Sequence, residues 1–221
     1  MRRMAWHLQE RSATVAALRE AGPGAATLCE GWRTEHLAAH LVLRESSPAA
    51  VGVVVPGLAA RTERLTQALG DRSTRPDAWE RLLARLADGP PVWHPLRWAG
   101  DAAQLVEFHV HAEDVRRGGP GGAQVAPRDL PPAHEEALWA HLRRMSRLLL
   151  HRSPVRLVLT DPSGRTITAG ARDGDVVEVR GRPGELVLWA FDRPRVAHVR
   201  LVGPPAALEA LARFRAPAPT S

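Results

Sequence analysis

The chain contains no lysine, no asparagine and no tyrosine, one isoleucine and one cysteine. A single cysteine, Cys29, rules out an intrachain disulfide and makes a reducing cytoplasm the expected setting. Without lysine there is no phosphate-binding loop of the Walker type. The glycine-rich "GGPGG" at 118–122 also lacks the strand–loop–helix context such a loop needs. The missing residues share AT-rich codons, so coding bias accounts for a chain whose 30 basic residues are all arginine. No apolar run approaches the roughly 18–20 residues of a membrane span. The N-terminal "MRRMAWHLQERSATVAAL" has no continuous apolar core and reads as an amphipathic helix, so export is not expected.

What remains is enough for one large domain or two small ones: 221 residues, 44% of them hydrophobic. A net charge of +6 raises the question of nucleic acid. The arginines are dispersed and aromatic residues do not interleave them, so a DNA-associated regulator would rest on charge alone, and neither nucleic acid nor membrane is an expected partner. A monomer or homodimer is expected.

Two halves differ in pattern. Up to residue 152, Ala, Leu and Arg recur at helical spacing, predicting helices at about 3–20, 34–46, 57–70, 76–88, 99–117 and 131–151. Thr34 is the expected N-cap of the second, and Pro48 its stop. Short connections between these helices imply an antiparallel bundle. From 153 the pattern turns to alternation. "VRLVLTD", "RTITAG" and "DVVEVRG" are separated by the turn signals "DPSG" and "ARDGD". "PGELVLWAF" then reads as a helix, "VAHVRLVG" as a strand and "PAALEALARF" as a last helix. The expected fold is α+β: a helical bundle over 1–152, a small β-β-β-α-β-α domain over 153–215, and a disordered tail at 216–221.

The chemistry concentrates in "EFHVHAEDVRR", Glu107–Arg117. On a helical wheel, His109, Glu113 and Arg116 form one polar stripe, the expected wet face. Gln104, Glu107, His111 and Asp114 form a second stripe opposite it, which in a bundle points inward. Unpaired polar groups there cost several kcal/mol, so something must satisfy them. The i, i+4 spacing of Glu107 and His111 stacks a carboxylate and an imidazole on one face, a pair suited to Zn²⁺ or a similar divalent ion. The alternative is a hydrogen-bonded Glu–His pair on a partly exposed helix. A third ligand needs another helix. In "RTEHLAAHLVLRES", His40 is central on the apolar arc, His36 competes from one turn earlier, and Arg44 lies one turn later, placed for an anion or a carboxylate.

The stretch "GPGAATLCEGWRTEHLAAHLVLRESSP", with "VEFHVHAEDVRRG" downstream, strongly resembles the mycothiol-dependent maleylpyruvate isomerase-like family, bacterial proteins with a DinB-like helical bundle, and most of all an uncharacterised metal-binding branch of it. The resemblance implies a metal held by His40, Glu107 and His111. Asp114, a further turn along the same stripe, would then orient His111 or another group behind the ligands. It also implies a sterol-carrier-like second domain. In the family an arginine following a helix of that domain, in a Gly-Arg pair, holds the substrate carboxylate. The matching residue is Arg193, preceded here by Asp192. The other reading of Arg193 is a surface arginine after a helix end.

Three protein ligands leave an open coordination position, the mark of catalytic sites. In the family that position is thought to take the thiol of mycothiol, deprotonated by the metal. The implied activity is a mycothiol-dependent isomerase or S-transferase acting on a small acidic electrophile, with Arg44 and Arg193 as the arginines facing the substrate. The alternative is a non-catalytic metal-binding or small-ligand carrier. Cys29, beside the start of the second helix, reads either as a nucleophile or as a small residue closing the bundle. The seven tryptophans are expected in core and pocket wall.

Overall fold

Runs of Ala and Leu broken by Pro and Gly dictate where the chain coils and where it stops. In a computed structural model, which describes residues 5–46 and 56–216, the helices are α1 (Trp6–Ala21), α2 (Thr34–Ser46), α3 (Pro56–Asp71), α4 (Pro76–Asp88), the single turn α5 (Leu96–Ala99), α6 (Asp101–Arg116) and α7 (Pro132–Leu149). They are followed by β1 (Arg156–Thr160), β2 (Thr166–Gly170), β3 (Val176–Arg180), α8 (Pro183–Ala190), β4 (Arg200–Val202) and α9 (Pro205–Phe214). Proline opens α4, α7, α8 and α9, where its missing N–H costs nothing. Of these elements, α5 was not anticipated. Pro48 and the last five residues of the tail lie outside the described residues.

The chain divides into two compact units, residues 1–125 and 126–221. In the first, α1, α2, α4 and α6 bury Val15, Leu18, Leu37, Leu41, Trp79, Leu83, Leu86, Phe108 and Val115 in one core. Burying each such side chain is worth roughly 1.5–3 kcal/mol. Helix α3 lies against α2.

The second unit is a four-stranded sheet in the order β2-β1-β3-β4. Strand β1 pairs antiparallel with β2 and parallel with β3, and β4 closes the other edge antiparallel to β3. "DPSG" therefore makes the expected hairpin, whereas "ARDGD" carries the chain across the sheet to the far side of β1. The predicted strand over 196–203 shortens to Arg200–Val202.

The units divide earlier than the expected boundary at 152/153, because α7 packs on α8 and β2 and so belongs with the sheet. Glu135 on α7 accepts from the backbone N–H of Gly184 at 2.9 Å and from Arg182 Nε at 3.1 Å, and Trp139 lies under the Arg165 guanidinium. Helical periodicity reports that α7 is a helix but not which partner covers its apolar face.

Tryptophan placement also departs from expectation. Trp6, Trp79, Trp139 and Trp189 are buried, but Trp93 and Trp98 are largely exposed. Among the described residues no helix is long and apolar enough to cross a membrane.

Candidate metal centre

The loop before α2 decides what the centre looks like. Thr34, the expected cap, instead donates its hydroxyl to the Gly22 carbonyl at 2.6 Å. The first turn of α2 closes on the carbonyl of Arg33, one residue earlier. His36 Nδ1 accepts from the Arg33 backbone N–H at 3.2 Å, much as the third residue of a capping box does. Its other nitrogen, Nε2, lies 3.0 Å from Asp71 of α3, where Gly70 leaves room for the ring: a Cβ there would sit 2.5 Å from it. His36 is thus occupied in joining α2 to α3.

One turn on, His40 meets α6. Its Nε2 lies 3.7 Å from Oε1 of Glu107, and Nε2 of His111 lies 3.5 Å from that same oxygen. Arg44 brings its Nε to within 3.3 Å of it. One carboxylate oxygen therefore faces two imidazole nitrogens and a guanidinium. Trp32 walls the site, its ring centroid 4.8 Å from that of His40, while its Nε1 donates to Glu63. Behind His111, Nδ1 lies 2.9 Å from Oδ2 of the fully buried Asp114, which fixes the ring and aims Nε2 at Glu107.

The charge states follow from these contacts. Burial alone would raise the Glu107 pKa, but hydrogen bonds from His111 and His40, with the nearby Arg44 charge, hold it well below the usual carboxylate range. Burial alone would lower that of His111. Asp114, Cys29 and Glu107 overcome this and raise it well above an ordinary histidine.

The donor set fits a divalent ion. The ligand atoms of His40, Glu107 and His111 lie within 4.8 Å of one another. Ligands about 2.0–2.1 Å from a tetrahedral ion stand roughly 3.3 Å apart, so small side-chain rotations would close the set. Two nitrogens and an oxygen are the donors that zinc and its neighbours accept.

The opposite stripe of α6 is not the expected wet face. His109 and Glu113 are buried. His109 Nδ1 lies 3.2 Å from Glu10 of α1, and Glu113 accepts from both Arg116 and Arg117. Helix α6 is covered on both sides, and ion pairs make that tolerable.

Of the remaining candidates, Cys29 is half-buried with Sγ 3.2 Å from Asp114 Oδ2. Arg193 lies in the second unit. Its backbone N–H bonds the Leu188 carbonyl and its Nη1 the Phe191 carbonyl, which closes the end of α8. The preceding Asp192 has φ +69°, the left-handed cap position usually given to glycine. The departure from a Gly-Arg pair therefore keeps the backbone turn that glycine would make.

A site missed at the sequence level is the Arg11 guanidinium of α1. It bonds Glu45 of α2 through two nitrogens, the Leu86 carbonyl of α4 and Gln104 of α6. No local motif announces a residue whose partners lie 34, 75 and 93 positions away.

Fold and site together define an α+β protein whose helical unit gathers two imidazoles, a carboxylate and an arginine from two helices. The chain is similar to the crystal structure of the mycothiol-dependent maleylpyruvate isomerase, at a TM-score of 0.55 and 21% identity, over 89% of this chain and 90% of that one. A histidine-to-alanine mutant of that isomerase aligns over the same shares at 20% identity and a TM-score of 0.48. This chain thus has the DinB-like fold of the isomerase. No family model matches it, and no curated protein matches it in sequence.

Proposed function

We propose that this protein is a metal-dependent enzyme that uses a small-molecule thiol, mycothiol or a relative, either to isomerise a small acidic electrophile or, as an S-transferase, to join the thiol sulfur to it. The observation that supports this most is Glu107 Oε1 facing Nε2 of both His40 and His111, with Arg44 beside it. His40, Glu107 and His111 would hold the ion, and zinc is the ion that this donor set suits. When bound, such an ion supplies a Lewis acid that deprotonates a coordinated thiol at neutral pH.

The chain's own residues supply the rest. Asp114 accepts a hydrogen bond from His111 Nδ1 and keeps Nε2 directed at Glu107. Trp32 shields the His40 side from water. Arg44, whose side chain is 18% exposed, offers a fixed cation for a carboxylate. Arg193 is proposed as the second carboxylate-binding arginine, on the strength of the resemblance. Glu107 is a ligand in this reading and not the general base. The similarity to a thiol-dependent isomerase supports the reaction class.

Protein purified without chelator, assayed by elemental analysis and then screened for conjugation or isomerisation of unsaturated acids with mycothiol, tests the reading. Stoichiometric metal with thiol-dependent turnover is the expected result. Stoichiometric metal with no turnover across the screen would leave the carrier in its place.

A further inference from the structure

The imidazole of His111 has two faces of chemistry, and the second is not used by the reading above except as a tether. Cys29 is carried to it by a separate segment of chain. The loop from Gly22 to Arg33 is stitched down by Gly24 N–H to Glu35, Thr34 N–H to the Ala25 carbonyl and Thr27 Oγ1 to the Trp32 carbonyl. Leu28 N–H bonds the carbonyl of Asp114 itself at 3.0 Å. Gly118, just beyond α6, permits this closeness, since a Cβ there would sit 2.4 Å from the Ala26 carbonyl oxygen. The Cys29 thiol is thereby seated over the end of α6, with Sγ 3.2 Å from Asp114 Oδ2 and 3.9 Å from His111 Nδ1, while Nδ1 and Oδ2 are 2.9 Å apart.

We propose that Cys29, His111 and Asp114 form a second metal-binding site, selective for a thiophilic divalent ion such as Cd²⁺, on the Nδ1 face of the ring whose Nε2 face serves the His40–Glu107 centre. The three atoms belong to three different donor types and lie within 4.8 Å of one another. Ligands about 2.0–2.3 Å from a tetrahedral zinc-sized ion stand roughly 3.3–3.6 Å apart, and those around a larger ion further, so the 2.9 and 3.2 Å edges of this triangle would open by side-chain rotation while the 3.9 Å edge is already wide enough. A thiolate with an imidazole favours a soft or borderline ion, whereas two imidazoles with a carboxylate favour a harder one. On binding, the ion replaces two protons, one from the Cys29 thiol and one from His111 Nδ1. Both leave to solvent, and Nε2 keeps its own proton facing Glu107. A neutral imidazole has one free lone pair, so the two sites alternate on His111 instead of filling together. A thiophilic ion on the Cys29 side removes His111 from the other centre.

The site has an unambiguous reporter, because Cys29 is the only thiol in the chain. The full-length protein, reduced and stripped with chelator, is titrated with Cd²⁺ alone while thiolate-to-cadmium charge transfer is followed in the ultraviolet. The band should saturate at one ion per chain, vanish in Cys29→Ser and persist in His40→Ala and Glu107→Gln. In Asp114→Asn the affinity should fall by about 10–100-fold. Should that buried substitution prevent folding, protection of the Cys29 thiol from alkylation by Cd²⁺ in wild type, with protection retained in His40→Ala, carries the same information. No band in wild type, or a band lost in His40→Ala, overturns the proposal. Its failure is separable from that of the functional reading. Zinc bound through His40 with no cadmium band sinks this inference alone, and a cadmium band in a chain that never binds zinc sinks only the other.

Discussion

The guanidinium of Arg11 grips the carboxylate of Glu45 through two nitrogens, at 2.7 and 2.5 Å, in the interior of the helical unit. Both side chains are about 95% buried. The same guanidinium reaches α4 and α6 and lies 4.4 Å from the Phe108 ring centroid, so one residue of α1 touches the other three core helices. Removing one partner of such a pair strands a buried charge. Arg11→Ala should cost about 3–5 kcal/mol in chemical denaturation. The double variant Arg11→Met, Glu45→Met should recover most of that, because neither charge is then left unpaired. If the single variant loses less than about 1 kcal/mol, the network does not organise the bundle.

Histidine identity decides metal binding. His40→Ala, Glu107→Gln and His111→Ala should each abolish stoichiometric zinc. His36→Ala and His109→Ala should retain it, because those rings are engaged with Asp71 and Glu10. His36→Ala should still destabilise the protein by about 1 kcal/mol through its lost bond to the Arg33 backbone. Elemental analysis of each purified variant is the check, and equal metal in His40→Ala and wild type contradicts the assignment.

Because the ligands come from two helices, the ion crosslinks α2 and α6. Chelation should lower the melting temperature of the helical unit and leave that of the α+β unit unchanged. Calorimetry before and after chelator, with metal loss verified, tests this. Unchanged melting would place the ion at the periphery.

The two perturbed groups predict the pH behaviour of the chelated protein. His111 has its pKa raised in the fold, so its contribution to stability is complete below the ordinary histidine value of about 6.5 and is lost as pH rises through the raised value. Glu107 has its pKa depressed, so its contribution is complete above about 4.5 and is lost as pH falls through the depressed value. The stability from this pair should therefore peak between about pH 4.5 and 6.5. In Glu107→Gln the acid-side loss should shrink. Zinc competes with the His111 proton, so affinity should rise with pH until His111 is deprotonated. A pH-independent zinc affinity over that range argues against His111 as a ligand.

Asp192 holds a left-handed conformation at the end of α8, which costs a non-glycine residue roughly 1 kcal/mol. Its side chain is 82% exposed, with an ion pair to Arg215 at 3.8 Å. Asp192→Gly should raise stability by a few tenths to about 1 kcal/mol in chemical denaturation, because glycine relieves the turn while Arg215, whose side chain is buried, keeps its bond to the Trp189 carbonyl and its place over the Trp189 ring. A destabilised Asp192→Gly would show that the side chain, and not the turn, matters there.

Helix positions, the run of strands after residue 155 and the stacking of Glu107 on His111 were all legible in the sequence, because each depends on contacts within a few residues. The period of 3.6 or 2 is written locally, and i, i+4 neighbours share a face wherever the helix packs. Tertiary structure alone decided which polar stripe of α6 is wet, since burial belongs to the neighbours of a helix and not to its own pattern. Helices on both sides, with Glu10, Arg116 and Arg117 as partners, leave neither stripe fully exposed. It alone decided that α7 joins the sheet, that "ARDGD" crosses instead of turning back, and that Arg11 ties four helices together. It alone set Cys29 against Asp114, 85 positions away. Such pairings are fixed by the folding of the whole chain, whose long-range contacts carry no local signature in the residues that make them.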